Sequence, residues 1–384
     1  MVLFLHACTL EADGSGKEST VTVSELKGST LTLRAPLKAI GGAGDKIIDL
    51  KGQSGELDAG FRCHAYDLRA AITQDTHIHK IVPHVSQAGS KEIVHHMDIF
   101  VCQEAVERSF PASPEERNSW CSEERFIEEQ KVCSQMIWAY DRGALTYTFP
   151  PDVGIRLGPS TGYTHLMLQI HYLMPVHFPV GQGQGILDSS GFDLIVGGGK
   201  LLDSHLLGFL DMGLVLPPHK SRYHFTAHLS SADLANTIGP DFARFGEVQP
   251  FAAHLHAHDH AKAVWLDHYR SGKKIGEYAS IEPFHGYGPD QTFIPIPKGA
   301  PPLRPGDSLS FTCLFDTSAV ENQIEYGVSH GDEMCAPLIL YYPHVKNAIN
   351  MNNVRVFQDH VVKTDASEAK VMGIIKSKYK QWLP

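Results

Sequence analysis

Between Thr164 and Tyr172 the chain alternates without a break. Leu166, Leu168, Ile170 and Tyr172 occupy one set of positions, and His165, Met167, Gln169 and His171 the other. Successive strand side chains point to opposite faces, so this stretch reads as a β-strand with one apolar and one mixed polar face. Shorter apolar or alternating segments recur at 206–216, 309–315 and 339–342, separated by turns rich in glycine and proline. Many short strands with such punctuation specify an all-β sandwich or barrel. One helical insert is expected: Ser113 can cap, Pro114 suits the first turn, and Glu115 and Glu116 follow.

The length of 384 residues suggests two to three domains. Residues 1–45, rich in Ser, Thr and Gly, read as an N-terminal extension or the remnant of a preceding domain, and Gly181-Gln182-Gly183-Gln184-Gly185 as a link. Residues 346–384 turn polar and then basic, and read as a peripheral tail. The 43 acidic side chains outnumber 33 Lys and Arg, for a net charge of -10, which argues against nucleic acid or an anionic membrane as the main partner. No apolar run approaches the length of a membrane span, and the first residues have no basic segment of a signal peptide. The cysteines fall in even sets, Cys63, Cys102, Cys121 and Cys133, then Cys313 and Cys335, with Cys8 left over. Even sets point to disulfides and an oxidising compartment, although six buried thiols would fit the same composition.

The chemistry concentrates in histidine. His254, His256, His258 and His260 stand at every second position, on one face if this is a strand, where two of them can reach one metal ion. On spacing alone a solvated histidine-rich loop is nearly as good a reading. His95 and His96 are adjacent, so in a regular strand they face opposite ways and could share a metal only at a bend, a bulge or a strand end. His171 lies on the mixed face of its strand and could complete a three-nitrogen site with them. Met334 offers a thioether, a poor zinc ligand but a soft one suited to Cu(I). If Cys335 were bonded to Cys313, Met334 would sit beside a covalent staple. Motifs for a serine nucleophile elbow, a phosphate-binding loop, a His-Glu-x-x-His zinc site and Cys-x-x-Cys pairs are absent.

Four motifs in order, Val94-His95-His96-Met97, Gln169-Ile170-His171-Tyr172, Leu255-His256-Ala257-His258 and Glu333-Met334-Cys335 with Tyr341-Tyr342-Pro343, resemble those of the copper type II, ascorbate-dependent monooxygenases. This is the family of dopamine β-monooxygenase and, more distantly, peptidylglycine α-hydroxylating monooxygenase. The resemblance covers roughly residues 46 to 345 and is nearer the dopamine branch, as in Glu92 to Phe100. It implies two tandem antiparallel, jelly-roll-like β-sandwich domains, 46–180 and 185–345, each holding one copper. His95, His96 and His171 would hold the electron-transfer copper. His256, His258 and Met334 would hold the copper that meets O2 and carry catalysis. Disulfides Cys63–Cys121, Cys102–Cys133 and Cys313–Cys335 are implied.

Two positions depart from the family. His254 stands where the peptidylglycine branch has an arginine for the peptide carboxylate, and Leu338 where both branches have a tyrosine. The expected function is therefore hydroxylation of a small molecule, an aralkylamine first, with two coppers, O2 and ascorbate, in a secreted or vesicular lumen. The alternative is a non-catalytic copper-binding β-sandwich protein derived from that family.

Overall fold

The structure, a computed structural model, describes residues 22–23, 25–27, 29–35, 37–42, 48–51, 56–86, 90–102, 133, 135–175, 178, 183–197, 202–239, 242–286, 290–327, 331–344 and 354–357. The helical insert expected after Ser113, together with Cys8 and Cys121, lies outside them.

Strands dominate, as the alternation requires, and they form two sandwiches. One sheet of the first is built on β1 (Glu56–Asp67), β2 (Val94–Cys102), β3 (Gln135–Asp141) and β4 (His165–Pro175), in the spatial order β1-β4-β2-β3. The opposing sheet centres on Thr76–His84, Gly191–Gly197 and Thr30–Arg34. Leu166, Leu168, Ile170 and Tyr172 of β4 pack in one apolar cluster with Leu31, Leu33, Ile78, Ile81, Phe192 and Leu194 of that sheet. Leu31 and Leu33 lie in the stretch read as an extension, yet they are fully buried in this core. The other face of β4 is buried too. A second cluster of Cys63, Phe100, Cys102, Cys133 and Met167 covers it, with Cys102 bonded to Cys133.

The second sandwich pairs β5 (Gln249–Ala257) with β6 (Cys335–Tyr342), next to His205–Asp211, against a sheet of Tyr223–Leu229, Asp307–Phe315, Ala261–Arg270 and Lys273–Ile281. Alternation along β5 and β6 divides their residues between two cores. Leu255, Ile339 and Tyr341 pack inside the second sandwich, whereas Ala252, Leu338 and Leu340 join the cluster of the first. A strand covered on both faces reads as a continuous apolar run, which explains 338–342. Trp138 of β3 stacks on Phe293 at 4.3 Å, and Phe149 meets Phe251 at 6.1 Å, so aromatic contacts span the junction.

Two readings need correction. The histidine run is not one strand: β5 ends at Ala257, and Asp259 and His260 form a turn. The apolar stretch 206–216 breaks after Asp211, whose Oδ1 accepts from the Gly213 N–H at 2.8 Å and closes a turn. A helix the periodicity did not announce spans Ser231–Ile238. Ser230 caps it by accepting from the Asp233 N–H, and Leu234 and Ile238 sit in the second core.

Candidate metal centres

The first cluster depends on a β-bulge. Along β4 and β2, His171 pairs with His96 but Tyr172 pairs with Val94, leaving His95 as the extra residue. The bulge turns two adjacent imidazoles to one side, as the sequence required if both were to serve one ion. The freed His95 carbonyl accepts from the Arg142 N–H at 2.9 Å. Ligand atoms of His95, His96 and His171 all lie within 4.8 Å of one another, and the His171 ring stacks on Phe61 at 4.2 Å. Nδ1 of His95 and Nδ1 of His96 are 3.1 Å apart. Two nitrogens each about 2.0–2.1 Å from one tetrahedral ion stand about 3.3 Å apart, so the spacing fits a shared metal. Burial, then the neighbouring imidazoles, holds both His95 and His96 well below the usual histidine range. Neutral rings keep the lone pairs that metal ligands need.

The second cluster sits where β5 and β6 run out. The ladder ends at Ala257 opposite Cys335, so the next pair outward is His258 and Met334. His256 and His258 present their rings edge to face at 5.2 Å. Each ring is held through Nδ1. His256 Nδ1 donates to the Gln291 side-chain oxygen, and the Gln291 amide in turn donates to the Gly286 carbonyl. His258 Nδ1 donates to the Asp332 carbonyl at 2.9 Å. A carbonyl can only accept, so the proton is fixed on Nδ1 and Nε2 is left as the ligand atom on both rings. Burial pushes His256 down to about 3 and His258 to about 4.

Glu333 ties the turn together. Fully buried, its carboxylate accepts from the backbone N–H groups of His258, His260 and Met334. Burial pushes this carboxyl up to about 8, while the three N–H donors favour the anion. The Cys313–Cys335 disulfide anchors the residue after Met334 to the opposite sheet. Cys63 is also disulfide-bonded, and Cys121, the partner the resemblance implies, lies outside the described residues.

His254 and His260, the outer members of the run, go elsewhere. His254 Nε2 donates to Asp141 Oδ2 at 2.7 Å, across the junction. His260 is turned toward Asp316. Sequence reasoning did not find Gln291, Glu333 or Asp141. Glu333 lay within a quoted motif without a role, and nothing local marks the other two.

Residues 55–179 match the copper type II ascorbate-dependent monooxygenase N-terminal domain, and residues 205–359 match the C-terminal domain of the same family. The tyramine beta-hydroxylase of Caenorhabditis briggsae is 27% identical over 318 residues, 80% of this chain and 50% of that protein. Human DBH-like monooxygenase protein 1 is 24% identical over 75% of this chain and 45% of its own length. Human dopamine beta-hydroxylase is 25% identical over 74% of this chain and 43% of its own length. The chain thus spans about half, or less, of the curated relatives it matches. With both domain matches in order along the chain, it belongs to the copper type II ascorbate-dependent monooxygenase family.

Proposed function

We propose that this chain is a monooxygenase that hydroxylates a C–H bond of a small molecule, an aralkylamine first, using O2 and ascorbate. The observation that carries this reading is the pairing of two unlike donor sets at one domain junction. His95, His96 and His171 form an all-imidazole cluster, while His256 and His258 stand at the end of β5, where continuing its register with β6 brings Met334 opposite His258. His95, His96 and His171 would hold one copper, and His256, His258 and Met334 a second. Copper bound there supplies one-electron transfer at the first set and O2 activation at the second, where soft thioether ligation suits Cu(I).

The chain's own residues prepare both sites. Burial keeps the imidazoles neutral, Gln291 and the Asp332 carbonyl fix which nitrogen carries the proton, and Glu333 holds the turn that aims His258 and Met334. His96, His256 and Met334 keep partial exposure, so both clusters open toward solvent. Phe293 and Leu338 line the junction beside His254 with apolar surface. The disulfides Cys102–Cys133 and Cys313–Cys335 fit an oxidising compartment, the lumen of a secretory vesicle or the cell exterior.

The test is ascorbate-driven O2 consumption by the copper-loaded protein over a panel of amines. The reading predicts uptake matched one to one by hydroxylated product for at least one phenethylamine. Slow uptake that no substrate alters, with no product, would instead support a non-catalytic copper-binding protein.

A further inference from the structure

Between the two histidine clusters lies a buried carboxylate that neither cluster uses. Asp141 ends β3 directly opposite His96, so both side chains share the face of the sheet that carries His171. One oxygen, Oδ2, is held by His254 Nε2 at 2.7 Å, with the side chains 6% and 1% exposed. The other, Oδ1, is sealed from solvent and has no hydrogen-bond partner among the described residues. Buried carboxylate oxygens are normally satisfied, and an orphan one marks a place where a donor belongs.

The surroundings say which donor fits. Asp98, two residues from His96 on the same face and buried, is the diagonal neighbour of Asp141 across the β2–β3 ladder, where Asp98 pairs with Ala139. His96 Nε2, the ring held neutral by burial, stands 3.7 Å from Asp98 Oδ2. His254, which holds Asp141, stacks on the His256 ring at 6.0 Å, so this carboxylate lies close to the second cluster as well. A carboxylate with a free acceptor oxygen, beside a second carboxyl group, calls for a compact cation rich in N–H, and a primary ammonium has a positive charge and three donors. The wall beside them is apolar. The Phe293 ring stands 5.4 Å from that of His254, and Leu338 pairs with His254 in the ladder. Leucine at 338, where the family resemblance leads one to expect tyrosine, leaves that wall without a hydroxyl.

We propose that Asp141, held in place by His254 and assisted by Asp98, binds the ammonium group of a primary amine substrate, whose hydrocarbon part lies against Leu338 and Phe293. The proposal rests on the monooxygenase reading, which it deepens by assigning the residues that select the substrate. Asp141 and Asp98 act as recognition residues, and His254 positions Asp141.

The experiment measures binding of phenethylamine and of its neutral counterpart, phenethyl alcohol, to the copper-loaded protein by equilibrium dialysis. Copper content and O2 uptake are read on the same samples. Wild type is expected to prefer the amine by tenfold or more. Asp141→Asn should weaken the amine at least tenfold, leave the alcohol within twofold, and keep both copper content and thermal midpoint. Asp98→Asn should weaken the amine in the same sense by a smaller factor, and it decides the matter if Asp141→Asn does not fold. Equal binding of amine and alcohol by wild type, or an undiminished preference in folded Asp141→Asn, overturns the proposal, leaving Oδ1 satisfied by water alone. A chain that takes up copper and O2 but shows no amine preference overturns this site and leaves the monooxygenase reading standing. One that selects the amine through Asp141 but makes no product overturns the enzymatic reading and leaves the amine site.

Discussion

His256 and His258 lose protons to burial, and pH reads that directly in the metal-free protein. Their values near 3 and 4 lie below the ordinary 6.5, and His95 and His96 are lowered too, so between about pH 6.5 and 4 these histidines bind more protons in the unfolded chain than in the native one, outweighing the single proton that Glu333, raised to about 8, keeps in the native state. Native stability should therefore fall as pH drops through that window. Urea midpoints of the metal-free protein at pH 7, 6 and 5 check it, and midpoints that rise toward pH 5 would contradict the buried, neutral state. Gln291 acts through His256. Gln291→Leu leaves the His256 Nδ1–H without its acceptor and should weaken copper at the second cluster by about 10- to 100-fold, sparing the first. Competition with a colorimetric chelator measures both affinities. The histidines themselves were legible because metal ligands must be particular residue types at particular spacings. Gln291 and Asp141 were not, because each meets its histidine only after distant strands have paired.

Among the elements, the alternation of 164–172 was the clearest signal, and the strand formed where it predicted. Both of its faces are buried because a disulfide cluster covers the mixed one, which period-two patterning cannot reveal. The bulge at His95 was legible only as a condition, since adjacent histidines demand some irregularity without saying which. The histidine run misled in its last residues. Turn formation after Ala257 ended the strand, so His258 reaches its cluster from a turn while His260 points away. Gly286 packs against that turn, where an added Cβ would stand 2.5 Å from the His258 carbonyl oxygen. Gly286→Ala should displace the loop that leads to Gln291 and weaken copper at the second cluster, which the same chelator competition reads. The Cys313–Cys335 disulfide fastens β6 to the opposite sheet. Replacing both cysteines with serine should cost about 3 kcal/mol of stability. A thermal midpoint lower by roughly 6–12 °C is expected from that loss. A midpoint unchanged by calorimetry would mean the strand is held without it.

At the scale of the molecule, the two sandwiches meet through Trp138, Phe149, Phe251 and Phe293, with the Asp141–His254 hydrogen bond beside them. Two tandem sandwiches were legible only through the resemblance, since length and periodicity reach no further than an all-β sandwich or barrel chain of two to three domains. The junction was not legible, because the apolar runs of β6 look the same whether they face one core or two. Truncating Trp138 to alanine should cost about 3–5 kcal/mol, as for other buried large aromatics, and denaturant unfolding measures it. The central claim is that the junction brings together two copper sites of different ligation on one chain. Elemental analysis of copper per chain, on wild type, His171→Ala and Met334→Ala after equal reconstitution and dialysis, tests it most directly. The account predicts two coppers in wild type and one weakened in each variant, with Met334→Ala keeping the copper at the three-histidine cluster and losing hydroxylation. A single copper in wild type, or two retained at full strength in both variants, would contradict it.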